Sequence, residues 1–539
     1  MFVGFAICGC RPLTAGNLVL RWQRLICLCI QTTSKSSFFH QLSNAGGIET
    51  LTLPKLTSPL GEIVSMKMLL ALCLLSALLL VPACSAQVQE SYFGLHQNKY
   101  TRGEPWPTVP FAVRRTVSDR VTWDDLETCP GGPNPNNPCY HWGHNREDGD
   151  LDKIVNDSAA HGVDVMFTVY DTPGWISNRG ERCRGKGAPD ANCDGPADTD
   201  CGWNSIGLCD PPADIDARVG SGEADGSDKT FKDFISAVAT RYGKKIKYWE
   251  MWNEAPNIRS SNPRYWTFAQ WARMTKDFHD VVKSIIPDAV ILPANTCICT
   301  PRGSADFDDW TEDYFTALDK YGPSMVDGVS FHGYLLPPER QMSLVHRLEN
   351  IMSKHSSVRG KPLYDTEDAW PGGGVLATDA GKPDWDLRSA WLARSMILTA
   401  SMGVKMYIFF GWDLGPVGQM WASDSYLWNC TIPNKDHKEG YLCPTAPAYE
   451  QTRAWLLGAV FDKECSSQDV SGGSVIVCDF TKNNGAYHGR FVWDSYKDTV
   501  NYQPDQQFAM ERQLDGSTTE LKKGPIQVGP KPVLLEMRK

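Results

Sequence analysis

The sequence lacks the excess of positive charge that a nucleic-acid-binding protein carries. Its 539 residues contain 53 lysines and arginines against 63 aspartates and glutamates, which gives a net charge of -10 at pH 7. Internal repeats at a solenoid period are also missing. Hydrophobic residues make up 42% of the chain and charged residues 22%, which is ordinary globular composition. These observations argue against a nucleic-acid partner, a repeat protein and a disordered chain, and they allow a large enzyme.

The sequence also lacks an apolar run long enough to cross a bilayer, which takes ~20 residues. The longest run is 68–83, which follows Lys67 and precedes Cys84, Ser85 and Ala86. A basic residue, an apolar stretch and then small residues are typical of a secretory signal peptide. We therefore expect no stable membrane span and a secreted, extracellular protein.

The apolar run begins too far into the chain for an ordinary signal peptide, which occupies the N-terminus. We therefore expect residues 1–65 to be a spurious or leader extension and residues 66–86 to be the signal peptide, so that the mature chain begins near Gln87. Two alternatives stay open. The run could be a type II membrane anchor, or a periplasmic protein could carry a lipid on Cys84, although Pro82 is unusual at such a site.

Cysteine is not scarce, because 18 are present and twelve remain after the six that precede residue 87. An even number of closely spaced cysteines in an exported chain predicts disulfides, although spacing does not determine their connectivity. A zinc site is the alternative, but no histidine follows at finger spacing. Sequence neighbours suggest the pairs Cys129 with Cys139, Cys430 with Cys443, and Cys465 with Cys478, and one loop tied by Cys183, Cys193, Cys201 and Cys209.

From Tyr92 to about Leu457, short apolar or β-branched runs alternate with segments of helical period. This alternation predicts the α/β fold class and a (β/α)8 barrel over residues 87–458. The span exceeds the ~250 residues typical of that fold, and 177–228 is the most evident insertion. The eight predicted strands are 92–95, 112–117, 163–170, 246–252, 290–293, 326–332, 362–365 and 405–410.

After about Phe461 the pattern changes to short alternating runs separated by Gly, Asn and Asp turns. The runs are 474–480, 489–493 and 532–536, and no helical period accompanies them. We interpret residues 459–539 as a small C-terminal β-sandwich domain.

Two glutamates follow predicted strands at the end where such a barrel places its active site. Asn253 and Glu254 follow the fourth strand, and Glu367 follows the seventh. Two carboxyl groups that face each other across a sugar can act as nucleophile and general acid/base, as in a retaining glycosidase. A surface ion pair is the alternative for Glu254, and the flanking Asp365 and Asp368 complicate the choice of Glu367.

These residues belong to a series of motifs that resembles glycoside hydrolase clan A, and within it the family 39 type of β-xylosidases and α-iduronidases. The resemblance covers Tyr92 to the end of the chain and implies a (β/α)8 barrel that cleaves O-glycosidic bonds with retention. One departure from the clan is the extra residue Ala255, which separates Glu254 from the proline that directly follows it in the commoner Asn-Glu-Pro motif. The extra residue could change the direction of the loop that carries Glu254. In chain order the motifs are Thr172-Pro173-Gly174-Trp175, Trp252-Asn253-Glu254, Ser330-Phe331-His332-Gly333-Tyr334, Thr366-Glu367 and 531–536.

The resemblance implies a role for the residues at the strand ends. Glu254 is expected to be the acid/base, Glu367 the nucleophile, and Asn253 a donor to the 2-hydroxyl of the sugar. Tyr334 is expected to hydrogen-bond the nucleophile. His332 ends the same strand, and a satisfied core histidine is the alternative for it.

Three further residues are candidates for substrate binding. Arg115 matches an arginine that lies near the nucleophile in the clan, while Arg114 should point the other way because side chains alternate along a strand. Trp412 and Trp175 offer flat apolar surfaces suited to stacking on a sugar. An ordinary ion pair is the alternative for Arg115, and a place in the core is the alternative for both tryptophans.

The segment 190–198 begins like an oxygen-rich calcium loop, with Asp-x-Asn-x-Asp-Gly spacing. Position twelve of that loop is Cys201 rather than glutamate, so a solvated acidic loop tied by disulfides is the favoured interpretation. We therefore expect no metal and no cofactor.

The sequence as a whole predicts a secreted retaining O-glycoside hydrolase whose substrate is an oligo- or polysaccharide. A non-catalytic carbohydrate-binding barrel is the first alternative, and an inverting or non-glycosidic barrel hydrolase is the second. The sugar, its linkage and the oligomeric state are not specified by these patterns.

Overall fold

The computed structural model describes residues 87–117, 119–128, 139–145, 148–177, 210–257, 266–298, 304–370, 384–413, 421–422, 441–496 and 499–537. These residues belong to one compact unit of the chain. The expected signal segment and the loop 190–198 lie outside them.

Within these ranges, nine parallel strands form one curled sheet whose helices fit an α/β barrel. Its order is β5-β4-β3-β2-β1-β9-β8-β7-β6. All eight strands predicted from the sequence are present in it. The strands are β1 (Phe93–His96), β2 (Val113–Arg115), β3 (Asp164–Val169), β4 (Ile246–Met251), β5 (Val290–Leu292), β6 (Thr296–Cys297), β7 (Val329–His332), β8 (Leu363–Asp368) and β9 (Tyr407–Phe409).

Two details of this sheet differ from the sequence prediction. The predicted fifth strand is followed by a separate short strand, β6, because Pro293 has no N–H to continue the hydrogen-bond ladder. β8 also runs three residues further than predicted, so that Glu367 lies inside the strand and pairs with His332. A register irregularity between Phe331 and His332 accompanies that pairing.

Several helices between the strands bury one face, as the sequence period predicts, whereas the helix Trp385–Ser401 is buried on all sides from Arg388 onward. In α3 the buried face carries Phe231, Phe234 and Val238, and α4 begins with a capping box between Thr267 and Gln270. The helices are α1 (Trp123–Leu126), α2 (Leu151–Ala160), α3 (Lys229–Tyr242), α4 (Phe268–Ile285), α5 (Ser304–Leu318), α6 (Arg340–Met352), α7 (Trp385–Ser401) and α8 (Thr445–Leu456).

The interior of the parallel sheet is filled by a layer of apolar side chains below the strand ends. It includes Val113, Met166, Leu292 and Ile408. A side chain at Gly94 would place its Cβ 2.5 Å from Ile408 Cγ1, so β1 approaches β9 only because residue 94 is glycine. This apolar floor leaves the carboxyl ends of the strands as the place for polar groups.

The C-terminal segment forms antiparallel sheets from strands that the alternating runs predict. A six-stranded sheet has the order β12-β13-β14-β19-β16-β17, and β15 pairs with β18. Two short strands, β10 and β11, pair before α8. The strands are β10 (Trp421–Ala422), β11 (Tyr441–Leu442), β12 (Ser466–Val470), β13 (Gly473–Lys482), β14 (Tyr487–Asp494), β15 (Val500–Tyr502), β16 (Phe508–Arg512), β17 (Thr518–Glu520), β18 (Ile526–Val528) and β19 (Val533–Met537).

The six-stranded sheet shares a core with the parallel sheet's helices. Phe480 and Phe491 of the antiparallel sheet belong to the same buried cluster as Trp391 of α7 and Tyr449 of α8. Burial of this continuous apolar surface fixes the antiparallel sheet against the helices.

No helix in the described ranges combines the length and the apolar character needed to cross a membrane.

One predicted disulfide is confirmed, because Cys465 is bonded to Cys478. Cys139, Cys297 and Cys443 are also disulfide-bonded. The predicted partners Cys129 and Cys430 and the four cysteines of the loop 183–209 lie outside the described residues, so those pairings stay predictions.

The bridged cysteines Cys465 and Cys478 are separated by 13 positions in the sequence, so the disulfide closes a short loop. Replacing both cysteines by serine should lower the free energy of unfolding by roughly 3 kcal/mol, because a crosslink of this span restricts the unfolded chain. Urea unfolding of the variant and the native protein measures the difference. An unchanged unfolding midpoint would contradict the expectation, and a reductant titration of both proteins serves as the control.

Candidate active site

Four strands bring charged or hydroxyl-bearing side chains together at their carboxyl ends. β2 ends with Arg115, β4 leads into Glu254, β7 ends with His332, and β8 carries Glu367. Tyr334 follows β7. With Asn253, which contacts Arg115, the structure therefore assembles six of the residues that the sequence singled out.

Arg115 lies at the centre of this group and is fully buried. Its Nη1 donates to Glu367 Oε2 at 2.6 Å, its Nε to Glu250 Oε2 at 2.8 Å, and its Nη2 to Asn253 Oδ1 at 2.8 Å. Arg114 has a different partner, Asp119 at 2.9 Å, as strand alternation predicts. Arg115 thus links two carboxylates from different strands through one rigid guanidinium.

Glu250 is a member of the site that the sequence motifs did not reveal. Besides Arg115, it accepts hydrogen bonds from the hydroxyls of Thr168 and Thr366, each at 2.8 Å. Burial alone would raise the pKa of Glu250, but the Arg115 charge, the interaction with His332 and the hydrogen bonds from Thr168 and Arg115 hold that pKa below its usual value. A glutamate between Trp249 and Met251 in a predicted strand was the available signal, since a buried carboxylate requires a partner.

Glu367 is held from two sides. Its Oε1 accepts from the Tyr334 hydroxyl at 2.7 Å, and its Oε2 accepts from Arg115. Burial and the negative charge of Glu367 raise the pKa of Tyr334 well above its usual value, so the phenol stays protonated and donates. The two contacts fix the position of the Glu367 carboxylate.

The loop after β4 has an unusual backbone. Trp252 and Glu254 have φ angles of 79° and 48°, in the left-handed region that costs a non-glycine residue roughly 1–2 kcal/mol. The Trp252 amide donates to the Val169 carbonyl at 2.7 Å, and the Trp252 ring packs edge-on against Trp266. The extra residue Ala255 lies in the short turn that follows. Tertiary contacts therefore hold a conformation that the loop would not adopt alone.

The two glutamates and His332 form a tight cluster. His332 Nδ1 lies 3.0 Å from Glu254 Oε1, and one carboxylate oxygen of Glu254 lies within 4.8 Å of one of Glu367. Three such atoms have a spacing that suits a cation. Arg115 already supplies a positive charge to Glu367, and a hydrogen bond already joins His332 to Glu254. Partners inside the protein therefore already contact one oxygen of each glutamate and one nitrogen of His332.

The two aspartates that flank Glu367 are buried, and it is Glu367 that lies in the cluster with Glu254 and His332. Asp368 accepts from Gln341 at 2.7 Å and from the Ser395 hydroxyl at 2.5 Å. Burial raises the pKa of Asp368 to about 7, and burial together with the Asp368 charge raises the pKa of Asp365. They share the interior below the cluster, whereas Glu367 contacts Arg115 and Tyr334.

The two tryptophans proposed for sugar stacking have different surroundings. Trp412 is fully buried, and its amide donates to the His96 carbonyl at 2.7 Å. Trp175 is half-buried and donates from its indole to the Glu127 carbonyl at 3.2 Å. Stacking on a sugar stays a prediction for both.

Solved structures that share this fold include the following two. One is a family 39 glycoside hydrolase from the gut symbiont Bacteroides cellulosilyticus, with a TM-score of 0.53, 14% identity, and coverage of 84% of this chain and 83% of that one. The other is a conserved exported protein from Bacteroides fragilis, with a TM-score of 0.51, 11% identity, and coverage of 84% and 98%. No family model and no curated sequence matches the chain. The resemblance inferred from the motifs is confirmed for the fold.

The buried position of Arg115 leads to a stability prediction. Arg115→Met should lower the free energy of unfolding by about 3–5 kcal/mol, because it leaves Glu250 as an unpaired buried charge. The matched control is Arg241→Met, which removes the partly exposed pair with Asp152 and should cost at most about 1 kcal/mol. Denaturant unfolding compares the two. Equal losses in both variants would contradict the central role of Arg115.

Proposed function

We propose that the protein is a secreted retaining O-glycoside hydrolase that acts on an oligo- or polysaccharide. The observation that carries the proposal is the short separation of Glu254 and Glu367, whose nearest oxygens lie within 4.8 Å of each other. Retaining glycosidases have carboxyl groups ~5–5.5 Å apart, whereas inverting ones leave ~6.5–9.5 Å for a water. The fold shared with a family 39 glycoside hydrolase supports the same reaction class.

The proposed reaction has two displacements. In the first, a carboxylate oxygen of Glu367 bonds to the anomeric carbon while the glycosidic bond breaks, and Glu254 gives its proton to the departing oxygen. In the second, Glu254 takes a proton from water, the water oxygen bonds to the anomeric carbon, and the bond to Glu367 breaks. The substrate thus gains one water, and both carboxyl groups return to their first state.

The neighbouring side chains have roles that follow from their contacts. Arg115 and Tyr334 hold the Glu367 carboxylate in a fixed position, which suits a nucleophile. Asn253 accepts from Arg115 through Oδ1, so its amide nitrogen is directed elsewhere and suits donation to the sugar 2-hydroxyl. His332 contacts Glu254, and we propose that Trp175 and Trp412 contribute to the sugar subsites.

We propose that the parallel sheet closes into a complete (β/α)8 barrel over residues 87–458. The Asp327 amide donates to the Ile291 carbonyl at 2.8 Å, and the Ile291 amide donates to the Asp327 carboxylate at 2.9 Å. These bonds join the split fifth strand to the segment before β7, which supports closure.

We also propose that residues 459–539 form a sandwich. In support, Val500 and Val528 of the two-stranded sheet pack with Val477 of the six-stranded sheet.

Secretion is part of the proposal. The disulfide-bonded cysteines favour an oxidising compartment, and residues 66–86 have the pattern of a signal peptide. The alternatives are a form anchored by a membrane segment and a form anchored by a lipid on Cys84. Purification of the mature chain would reveal either anchor.

Replacing the nucleophile gives the first functional test. Glu367→Ala should nearly abolish turnover of aryl glycosides, because the covalent step is lost, and azide should restore part of it with inversion at the anomeric carbon. Product configuration is measured by NMR of the first-formed sugar. The exposed Glu520→Ala is the matched control and should retain full activity. Inverted product from the unmodified protein would overturn the retaining mechanism.

Replacing the acid/base gives a second, independent test. Glu254→Ala should slow substrates with poor leaving groups by about 10²–10⁴-fold in the first step, because their departing oxygen needs a proton. Substrates with good leaving groups need little protonation and should be spared. Pre-steady-state kinetics across aryl glycosides of different leaving-group pKa measures the contrast. An equal effect on all substrates would refute the assignment of Glu254.

A non-catalytic carbohydrate-binding barrel would behave differently in the same assays. It would bind glycans without turnover by the unmodified protein, and Glu367→Ala would leave the rate of hydrolysis unchanged. Turnover of any aryl glycoside that depends on both glutamates excludes it.

A further inference from the structure

Asn295 lies in the gap between β5 and β6, at the end of the sheet where the glutamates cluster. Its side chain is fully buried. Pro293, two residues earlier, follows the last residue of β5 and has no N–H to continue the hydrogen bonds of that strand. Asn295 therefore lies outside both strands, with its side chain directed toward the site. A buried amide in this position must satisfy its donors and its acceptor inside the protein.

Three partners surround the Asn295 amide. The backbone N–H of Glu254 lies 2.7 Å from Oδ1, His332 Nε2 lies 2.8 Å from Nδ2, and Glu250 Oε1 lies 3.4 Å from Nδ2. A backbone N–H can only donate, so it requires the oxygen of the amide. An ionised Glu250 can only accept, so it requires the nitrogen. Two independent partners thus fix which way the amide points.

This orientation determines the protonation of His332. The Asn295 NH2 group faces Nε2, so Nε2 must accept and carries no proton. The single ring proton of a neutral imidazole then lies on Nδ1 and is donated to Glu254 Oε1 at 3.0 Å. An imidazolium would place an N–H at Nε2 against the N–H donors of Asn295.

Charged and titratable groups also face the ring. Glu254 lies 3.0 Å from Nδ1 and Glu367 3.8 Å from Nε2. Glu250 and Asp368 are further acidic neighbours, and His96 is a further imidazole. The Asn295 amide opposes a proton on Nε2, because its NH2 group faces that nitrogen.

We propose that Asn295 is a positioning residue that holds His332 as the neutral Nδ1–H tautomer and thereby leaves Glu254 able to carry a proton. The kinetic consequence rests on the proposed function, because only an acid/base needs that proton. An imidazolium 3.0 Å from Glu254 would favour its ionised form and weaken it as an acid. The same amide also holds the Glu254 backbone in its left-handed conformation through the N–H contact.

The direct test is NMR of the mature protein labelled with ¹⁵N-histidine, with the His332 signals assigned by their loss in His332→Gln. In the unmodified protein near neutral pH, we expect an Nδ1–H signal and an Nε2 shift typical of an unprotonated nitrogen. An Nε2–H tautomer or an imidazolium would overturn the proposal, and this spectrum does not depend on whether any Asn295 variant folds.

A variant adds a causal test. Asn295→Asp still accepts from the Glu254 N–H, but it presents an acceptor to Nε2 and should move a proton there. The matched control is Asn350→Asp on the exposed face of α6, which should leave the His332 signals unchanged. An unaltered His332 spectrum in Asn295→Asp would also overturn the proposal, because a merely structural role for Asn295 would not move the proton.

Kinetics separate this proposal from the proposed function. If the tautomer proposal and the proposed function both hold, Asn295→Asp should slow the hydrolysis of substrates with poor leaving groups at least about tenfold more than that of substrates with good ones. It should also shift the high-pH limb of the kcat/KM profile to lower pH. A uniform slowing would overturn the kinetic consequence. If the unmodified protein hydrolyses no glycoside while the NMR result holds, the proposed function fails and the assignment of the tautomer stands.

Discussion

The arrangement of the site depends on one buried cation. Arg115 has no contact with solvent and cannot give up its charge, so carboxylates must surround it. Glu250 meets it from β4 and Glu367 from β8, and the hydroxyls of Thr168 and Thr366 complete the bonding of Glu250. The ion pairs tie β2, β4 and β8 together at the candidate active site, and the Thr168 hydroxyl joins β3 to them.

The two proposed catalytic glutamates have unlike surroundings, and the difference suits unlike roles. Glu367 contacts a permanent cation and a phenol that stays protonated, and both donate hydrogen bonds to its carboxylate oxygens. Glu254 instead touches a histidine that the Asn295 amide constrains, on a backbone held in the left-handed region. Pairs of carboxyl groups in contrasting environments are the basis of acid–nucleophile division in such sites.

The antiparallel sheet contributes to the site indirectly. Glu339, just before α6, accepts from the Trp493 indole of β14 at 2.7 Å and from Arg394 Nε of α7 at 2.8 Å. The Trp391 indole donates to the Leu335 carbonyl at 3.2 Å. The segment between β7 and α6, which carries Tyr334, is therefore fixed at both ends, and the shared core beneath it explains why the two sheets belong to one unit.

The sequence by itself determined the local features of this protein. Alternating apolar runs and helical periods predicted the parallel strands and their helices, and strand alternation separated Arg115 from Arg114. Residues that follow strands could be identified because parallel strands present their carboxyl ends at one edge. The pairing of Cys465 with Cys478 was accessible for a similar reason, since the two lie close in the chain.

Only the tertiary structure decided which distant groups meet. Glu250 and Asn295 belong to the site through partners on other strands, and no local pattern records such pairings. The extent of β8, the separate strand β6 and the left-handed turn at Glu254 depend on ladder register and on packing from Trp266 and Asn295. Strand register and the pairing of buried charges depend on contacts between different strands, so they appear only when the strands have been brought together.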